Sequence, residues 1–117
     1  MKALSIREPW ASMITDGRKT IETRNWKTNH RGLLAIHRSG PGGAIVAVAD
    51  VEEIEVYTPA HRIRAFGGML LPPSPRYSWF LTHIVSLPCP IPIKGMLGLW
   101  DIPEAEAQMV LDQILPH

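Results

Sequence analysis

The chain has 117 residues, about the length of one domain, and its 45% hydrophobic and 20% charged residues argue against intrinsic disorder. Charged residues interrupt the N-terminus before a signal peptide could form, and the longest apolar run, residues 44–49, is far shorter than the ~20 residues of a membrane-spanning helix. The single cysteine, Cys89, excludes an intramolecular disulfide and fits a reducing compartment. We therefore expect one soluble cytoplasmic domain over residues 1–117.

Charge is distributed unevenly along the chain, although the formal net charge is only +1. Residues 18–38 hold six Lys or Arg against one acid, Glu22. Acids gather instead in residues 50–55 and 101–112, and none lies between these two segments. The folded protein can therefore present a basic face and an acidic edge. Two interpretations stay open, a mixed solvated surface and a groove for a phosphate-bearing partner.

The first half of the chain predicts strands around one helix. Leu4 and Ile6 share a face of a strand over residues 3–6. Pro9 suits the first turn of a helix that Gly17 ends. Further strands are predicted at residues 20–26, 32–37 and 44–53, with Ile45, Ala47, Ala49 and Val51 on the face opposite Val46 and Val48.

The second half begins with a surface excursion over residues 57–75, which includes a helical turn at residues 61–66. A strand follows at residues 77–87, and the prolines after it are expected to break it: Pro88, Pro90 and Pro92. A last strand covers residues 97–102, and Pro103 opens a final helix. Five or six short strands with two helices predict a mainly β fold, a small β-barrel with flanking helices.

Several familiar motifs are absent from the sequence. Gly17 and Lys19 resemble the end of a phosphate-binding P-loop, but Ser12 stands where that motif needs another glycine, and a predicted strand follows instead of a helix. The five histidines and Cys89 show no zinc spacing, so we expect no metal and no cofactor. No nucleophile elbow is present.

The densest group of chemically useful side chains is Lys19, Glu22 and Arg24. A carboxylate flanked by two cations is a poor acid catalyst, because both neighbours favour its charged form. It is a good acceptor for an amide or exocyclic amine, while the cations hold phosphate or carbonyl oxygens. Trp26, between Arg24 and Lys27, is placed to stack on a base. A salt-bridge ladder on a strand is the open alternative.

These residues resemble the ASCH domain, a branch of the PUA-like superfamily, over about residues 3–102. The resemblance rests on residues 4–12, on Gly-x-Lys-x-x-Glu-x-Arg-x-Trp at residues 17–26, on 31–32 and 36–37, and on 92–100. It implies a PUA-like β-barrel with a cleft beside the first helix, lined by the Gly-x-Lys-x-x-Glu-x-Arg segment. It also implies RNA or nucleoside-like ligands.

The function that we expect is binding of RNA or single-stranded nucleic acid in this basic cleft. Four cations would contact phosphates: Lys19, Arg24, Lys27 and Arg38. Glu22 would read a base edge, and Trp10 or Trp26 would stack on the base. Further residues of the border and wall would be Pro9, Ser12, His37, Arg38, Ser39 and Lys94.

Other functions stay open for the same cleft. Some small ASCH proteins hydrolyse N4-acetylcytidine with a lysine, a threonine three residues later and a distant glutamate. Lys19 and Glu22 would be the catalytic pair here, but Glu22 occupies the threonine position and removes the hydroxyl nucleophile. A ribonuclease is another enzyme hypothesis. A non-enzymatic alternative is a protein-interaction module that uses the acidic face or the loop at residues 67–75.

Overall fold

The computed structural model describes residues 1–68 and 75–115. Its elements are β1 (Lys2–Ile6), α1 (Trp10–Thr15), β2 (Ile21–Arg24), β3 (Gly32–Arg38), β4 (Ala44–Val56), α2 (Arg62–Phe66), β5 (Tyr77–Pro92), β6 (Leu99–Asp101) and α3 (Glu104–Ile114). The strands form a sheet in the order β2-β5-β4-β3-β1-β6, in which β1 and β3 are parallel and the other pairs antiparallel. This sheet curls into a half-barrel, which confirms the predicted mainly β fold.

Both faces of the sheet are buried. Leu4 and Ile6 pack in one cluster with Ile14 of α1, while Ala3 packs on the other face with Val110 of α3. The separation follows from the alternation of side chains along β1. Within the described ranges, no helix combines the length and the apolar character that crossing a bilayer requires.

β4 departs from the strict alternation that the sequence predicted. Ile45 packs with the α3 cluster, but Val46 and Ala47 both pack on the α1 side. The register of β4 against β5 shifts between Ile45 and Ala47, which marks a β-bulge or similar irregularity. Such an irregularity turns consecutive side chains to the same face, so the prediction that Ile45 and Ala47 share a face was wrong.

β5 continues through the prolines that were expected to end it. Because Pro88, Pro90 and Pro92 are spaced by two, their missing N–H groups all lie along one edge of the strand. In the described sheet, β2 covers that edge only along residues 77–80, so the prolines remove no hydrogen bond of the β2–β5 ladder. The prediction of a break was therefore wrong.

The ends of other elements differ less from the prediction. β2 ends at Arg24, two residues earlier than predicted, and Trp26 folds back against Trp79 with ring centroids 5.0 Å apart. Trp79 Nε1 donates a hydrogen bond to the carbonyl of Trp26 at 3.3 Å. The predicted helical turn at residues 61–66 is observed as a short 3-10 turn followed by α2. The rest of the predicted excursion, at residues 69–74, lies outside the described residues.

Candidate binding cleft around a buried ion pair

Lys19 enters the protein interior because of how α1 ends. The helix stops at Thr15, and Gly17 adopts a φ of 85°, a left-handed conformation that glycine accepts without strain. The turn is closed by a hydrogen bond from the Lys19 N–H to the carbonyl of Met13 at 2.9 Å. The Lys19 side chain is then only 1% exposed.

The ammonium group of Lys19 has a protein acceptor for each of its three protons. Nζ donates to the carbonyls of Ile21 at 2.7 Å and Ala65 at 2.6 Å, and it lies 3.3 Å from Glu22 Oε1. Burial lowers the pKa of Lys19, and the carboxylate of Glu22 acts in the opposite direction. Two aromatic rings stand within 5.5 Å of Nζ, those of Trp10 and Phe66.

Glu22 joins Lys19 to Arg24. Its Oε2 accepts hydrogen bonds from Nε of Arg24 at 3.0 Å and from Nη2 at 2.8 Å. Nη2 also donates to the carbonyl of Ser5 at 2.9 Å. Since β2 is at one edge of the sheet and β1 is next to the other edge, Arg24 ties together the two sides of the half-barrel.

Glu22 and Arg24 retain hydrogen-bonding capacity that the described residues do not use. Three of the roughly four acceptor positions of the carboxylate are taken, which leaves one on Oε1. No acceptor for Nη1 of Arg24 occurs in residues 1–68 or 75–115, so within this part of the chain its two protons are available to a ligand. The two side chains are 7% and 25% exposed. Together they offer one acceptor and two donors.

These groups line a cleft of about 590 Å³. Six of the residues that the sequence singled out lie on its wall: Trp10, Lys19, Glu22, Arg24, Trp26 and Ser39. A second cavity, of about 820 Å³, is lined by His37, Lys94 and again Ser39. The structure thus divides the predicted site between two neighbouring cavities.

Four predicted site residues, Pro9 among them, lie outside the linings of both cavities. Ser12 donates from its backbone and hydroxyl to the carboxylate of Glu8. Nζ of Lys27 lies 5.8 Å from the ring centre of Tyr77. Arg38 donates to the carbonyl of Gly42 at 3.0 Å. Lys27 and Arg38 can meet only a ligand that extends beyond the cleft.

The expected contact between Lys19 and a phosphate also needs revision. The buried ammonium already donates to two carbonyls and faces Glu22, so it has no proton left for a phosphate oxygen. We assign Lys19 the role of holding Glu22 in position instead. The cation available to a phosphate at the cleft is instead Arg7, which is exposed and lines the wall.

Sequence reasoning did not select Arg7 as a site residue. It follows β1 directly, at the strand end where Arg24 reaches the carbonyl of Ser5. Met96 and Leu97 were missed as well, although an apolar pair between two glycines in a loop was a usable signal. Among the described residues, no cluster of three or more His, Cys, Asp or Glu could hold a metal ion.

The curled mainly β sheet and its cleft are consistent with the PUA-like superfamily. The family model of the ASCH domain matches residues 4–87, which is more than half of the sequence. The chain belongs to the ASCH domain family.

Two curated relatives share short stretches with this chain. Activating signal cointegrator 1 of Mus musculus is 49% identical over 37 residues, which is 32% of this chain and 6% of that protein. Its counterpart from Homo sapiens is 52% identical over 33 residues, which is 28% of this chain and 6% of that protein. The chain therefore spans only a small part of these relatives.

Solved structures match over nearly the whole length. The ASCH protein of Zymomonas mobilis has a TM-score of 0.68 and 15% identity, covering 95% of this chain and 93% of that chain. A single-residue variant of the same protein gives a TM-score of 0.72 and 16% identity, covering 95% and 96%. At this identity, the likeness concerns the fold alone.

Proposed function

We propose that this protein binds RNA or other single-stranded nucleic acid and holds one unpaired base in the cleft. The observation that carries the proposal is the free hydrogen-bonding capacity of Glu22 and Arg24, one acceptor beside two donors. Unpaired bases present hydrogen-bonding edges of this mixed kind, and proteins read them with such side chains. Membership of the ASCH family agrees with a nucleic-acid-related role.

The aromatic residues of the cleft support a planar ligand. Trp10, Trp26 and Phe66 line the same wall as Glu22. Each base has a π-face, so stacking on an aromatic side chain tolerates any base sequence. A bare phosphate fits this part of the cleft less well, because the carboxylate of Glu22 repels it. The base therefore occupies the region of Glu22, and the phosphate lies farther out.

The phosphate contacts of this proposal come from cations at the cleft and beyond it. Arg7 is exposed and lines the wall, so it replaces Lys19 as the nearest contact. Lys27 and Arg38 lie outside the linings and would meet the strand as it leaves the cleft. Phosphate contacts of this kind make affinity fall as salt rises.

The test measures binding of a fluorescein-labelled ten-nucleotide single-stranded RNA of mixed sequence by anisotropy, at several salt concentrations. We expect salt-sensitive binding by the wild type. Arg7→Gln should weaken it and lower the slope of log K against log salt by about one. Arg62→Gln is the matched control, since Arg62 is exposed on α2 and lies outside both cavity linings. Absence of binding, or equal effects of the two variants, would contradict the proposal.

A second candidate is hydrolysis of an N4-acylated cytidine in the same cleft. The lowered pKa of Lys19, beside Glu22, favours it, because a lysine of reduced pKa serves as a base nearer neutral pH. The two carbonyl partners of Nζ and the glutamate at the family's threonine position weigh against it. The test is chromatography of N4-acetylcytidine after incubation with the protein. Release of cytidine by the wild type, and its loss in Lys19→Met, would favour the hydrolase over the binding protein. The ribonuclease hypothesis is tested by the same chromatography on the ten-nucleotide RNA, which a ribonuclease would shorten.

A further inference from the structure

We propose that the second cavity binds the nucleotide next to the one in the cleft, so that the smallest complete ligand is a dinucleotide. The apolar pair Met96 and Leu97 would then stand between the two bases. This inference rests on the proposed function and adds to it a second subsite and a minimum ligand length.

The two cavities are continuous along one wall. The residues common to both linings are Ser5, Ser39, Met96 and Leu97. The second cavity, at about 820 Å³, has ample room for a nucleotide. A strand with one base in the cleft therefore meets the second cavity directly across the ridge formed by Met96 and Leu97.

The base of this ridge is held in place by hydrogen bonds to His37. Nε2 of His37 lies 2.6 Å from the carbonyl of Ile93, which only accepts, so Nε2 carries the proton. In the neutral ring Nδ1 then accepts from the hydroxyl of Ser5 at 3.1 Å, and that hydroxyl accepts in turn from Nε1 of Trp100 at 3.1 Å. Gly95 packs so closely that an added Cβ would lie 2.6 Å from the His37 ring. The segment that carries the ridge is thus anchored before any ligand binds.

The ridge itself is apolar and open to water. Met96 is 64% exposed and Leu97 is 98% exposed. Apolar side chains of this kind insert between bases in known complexes, where both faces of the side chain become buried. An anchored segment with an almost fully exposed leucine at a cavity mouth is suited to such a contact, because its backbone loses little conformational freedom on binding.

The charge of the second cavity favours an anion as its ligand. Lys94 is exposed on its lining, and that lining contains no acidic side chain. Across residues 1–68 and 75–115, no carboxylate forms an ion pair with Lys94. The phosphate that links two nucleotides supplies the missing charge. A neutral apolar peptide would cover Leu97 but leave Lys94 without a partner.

The test compares the four 5′-mononucleotides with the four matching 5′-phosphorylated homodinucleotides by calorimetry. We expect the best dinucleotide to bind about tenfold more tightly than its mononucleotide. Lys94→Gln, on the lining of the second cavity alone, should weaken dinucleotide binding about three- to tenfold and leave mononucleotide binding unchanged. Leu97→Ser removes a contact with both bases, so it should weaken dinucleotide binding by a larger factor than mononucleotide binding. The matched controls are Met109→Ser, an exposed apolar residue on α3, and Arg62→Gln, and both should bind as the wild type does.

The outcomes separate this inference from the proposed function. Equal affinity for mononucleotide and dinucleotide, with no effect of Leu97→Ser, would overturn the second subsite and leave the cleft proposal standing. Failure of the mononucleotides, the dinucleotides and the ten-nucleotide RNA to bind would overturn both. If Leu97→Ser instead abolished self-association seen by light scattering, with no change in nucleotide binding, the ridge would be a contact between copies, and the subsite would be wrong.

Discussion

Lys19 and Glu22 form an ion pair with Nζ 3.3 Å from Oε1, although their side chains are only 1% and 7% exposed. The pair continues through Arg24 to the carbonyl of Ser5, so it connects α1 to both sides of the half-barrel. A buried pair of this kind stabilises little beyond its own desolvation cost, and losing one partner leaves an uncompensated charge. The charged groups that form the cleft, Lys19, Glu22 and Arg24, therefore depend on one another for their charge compensation.

The protonation of Lys19 should appear in the pH dependence of stability. Burial holds its pKa below the ordinary 10.5 in the folded protein. Between that lowered value and 10.5, the unfolded chain binds more protons, so the free energy of unfolding attributable to Lys19 rises with pH. Urea denaturation from pH 8 to 10.5 should show this rise as a difference between the wild type and Lys19→Met. A difference that falls with pH for Lys19→Met would contradict the assignment.

Removal of the carboxylate should cost more than removal of the pair. Glu22→Gln leaves the charge of Lys19 buried without its anion, and we expect a loss of about 3–5 kcal/mol in the free energy of unfolding. The double variant with Lys19→Met should be destabilised by clearly less than the sum of the single variants. Chemical denaturation of the four proteins measures the coupling. Simple additivity would show that the pair acts as two independent residues.

Gly95 and Gly43 contact the ring of His37, and the same substitution should separate them. A Cβ on Gly95 would lie 2.6 Å from the ring and would also collide with the hydroxyl of Ser5. A Cβ on Gly43 would approach no atom closer than 3.2 Å. Since neither glycine has a positive φ, the comparison reports contact and not backbone strain. Gly95→Ala should cost about 1–3 kcal/mol and Gly43→Ala less, measured by denaturation. The reverse order would be inconsistent with the His37 anchor.

Gln113 compensates for the interrupted ladder in β5. Its amide accepts from the N–H of Cys89 at 2.9 Å and donates to the carbonyl of the same residue at 2.8 Å. Gln113→Ala should lower the free energy of unfolding by about 1 kcal/mol, because both backbone groups lose their partner. Gln108→Ala is the matched control, since its amide donates along α3 to the carboxylate of Asp112. Equal losses in the two variants would show that the contact with Cys89 adds nothing.

The helix at the cleft could be predicted from local chemistry. Pro9 suits the first turn of a helix, and Gly17 accepts the left-handed turn that ends α1. The partners of Lys19 could not be predicted in this way, because the carbonyl of Ala65 comes from a helix 46 positions later. A lysine three residues before a glutamate is compatible with an exposed pair as well as a buried one. Whether the pair is buried depends on which element packs over it, and a local sequence pattern does not predict that element.

The same division applies to the strands and to the site. By itself, the sequence determined the mainly β class, the segments from which the strands form and the grouping of Lys19, Glu22 and Arg24, since these follow from alternation and spacing. Only the tertiary structure decided that Pro88 and Pro90 remain within a strand, because tolerance of a missing N–H depends on whether a neighbouring strand needs it. It also decided that Arg7 and Leu97 line the cleft, since residues ninety positions apart become neighbours through the antiparallel pairing of β1 with β6.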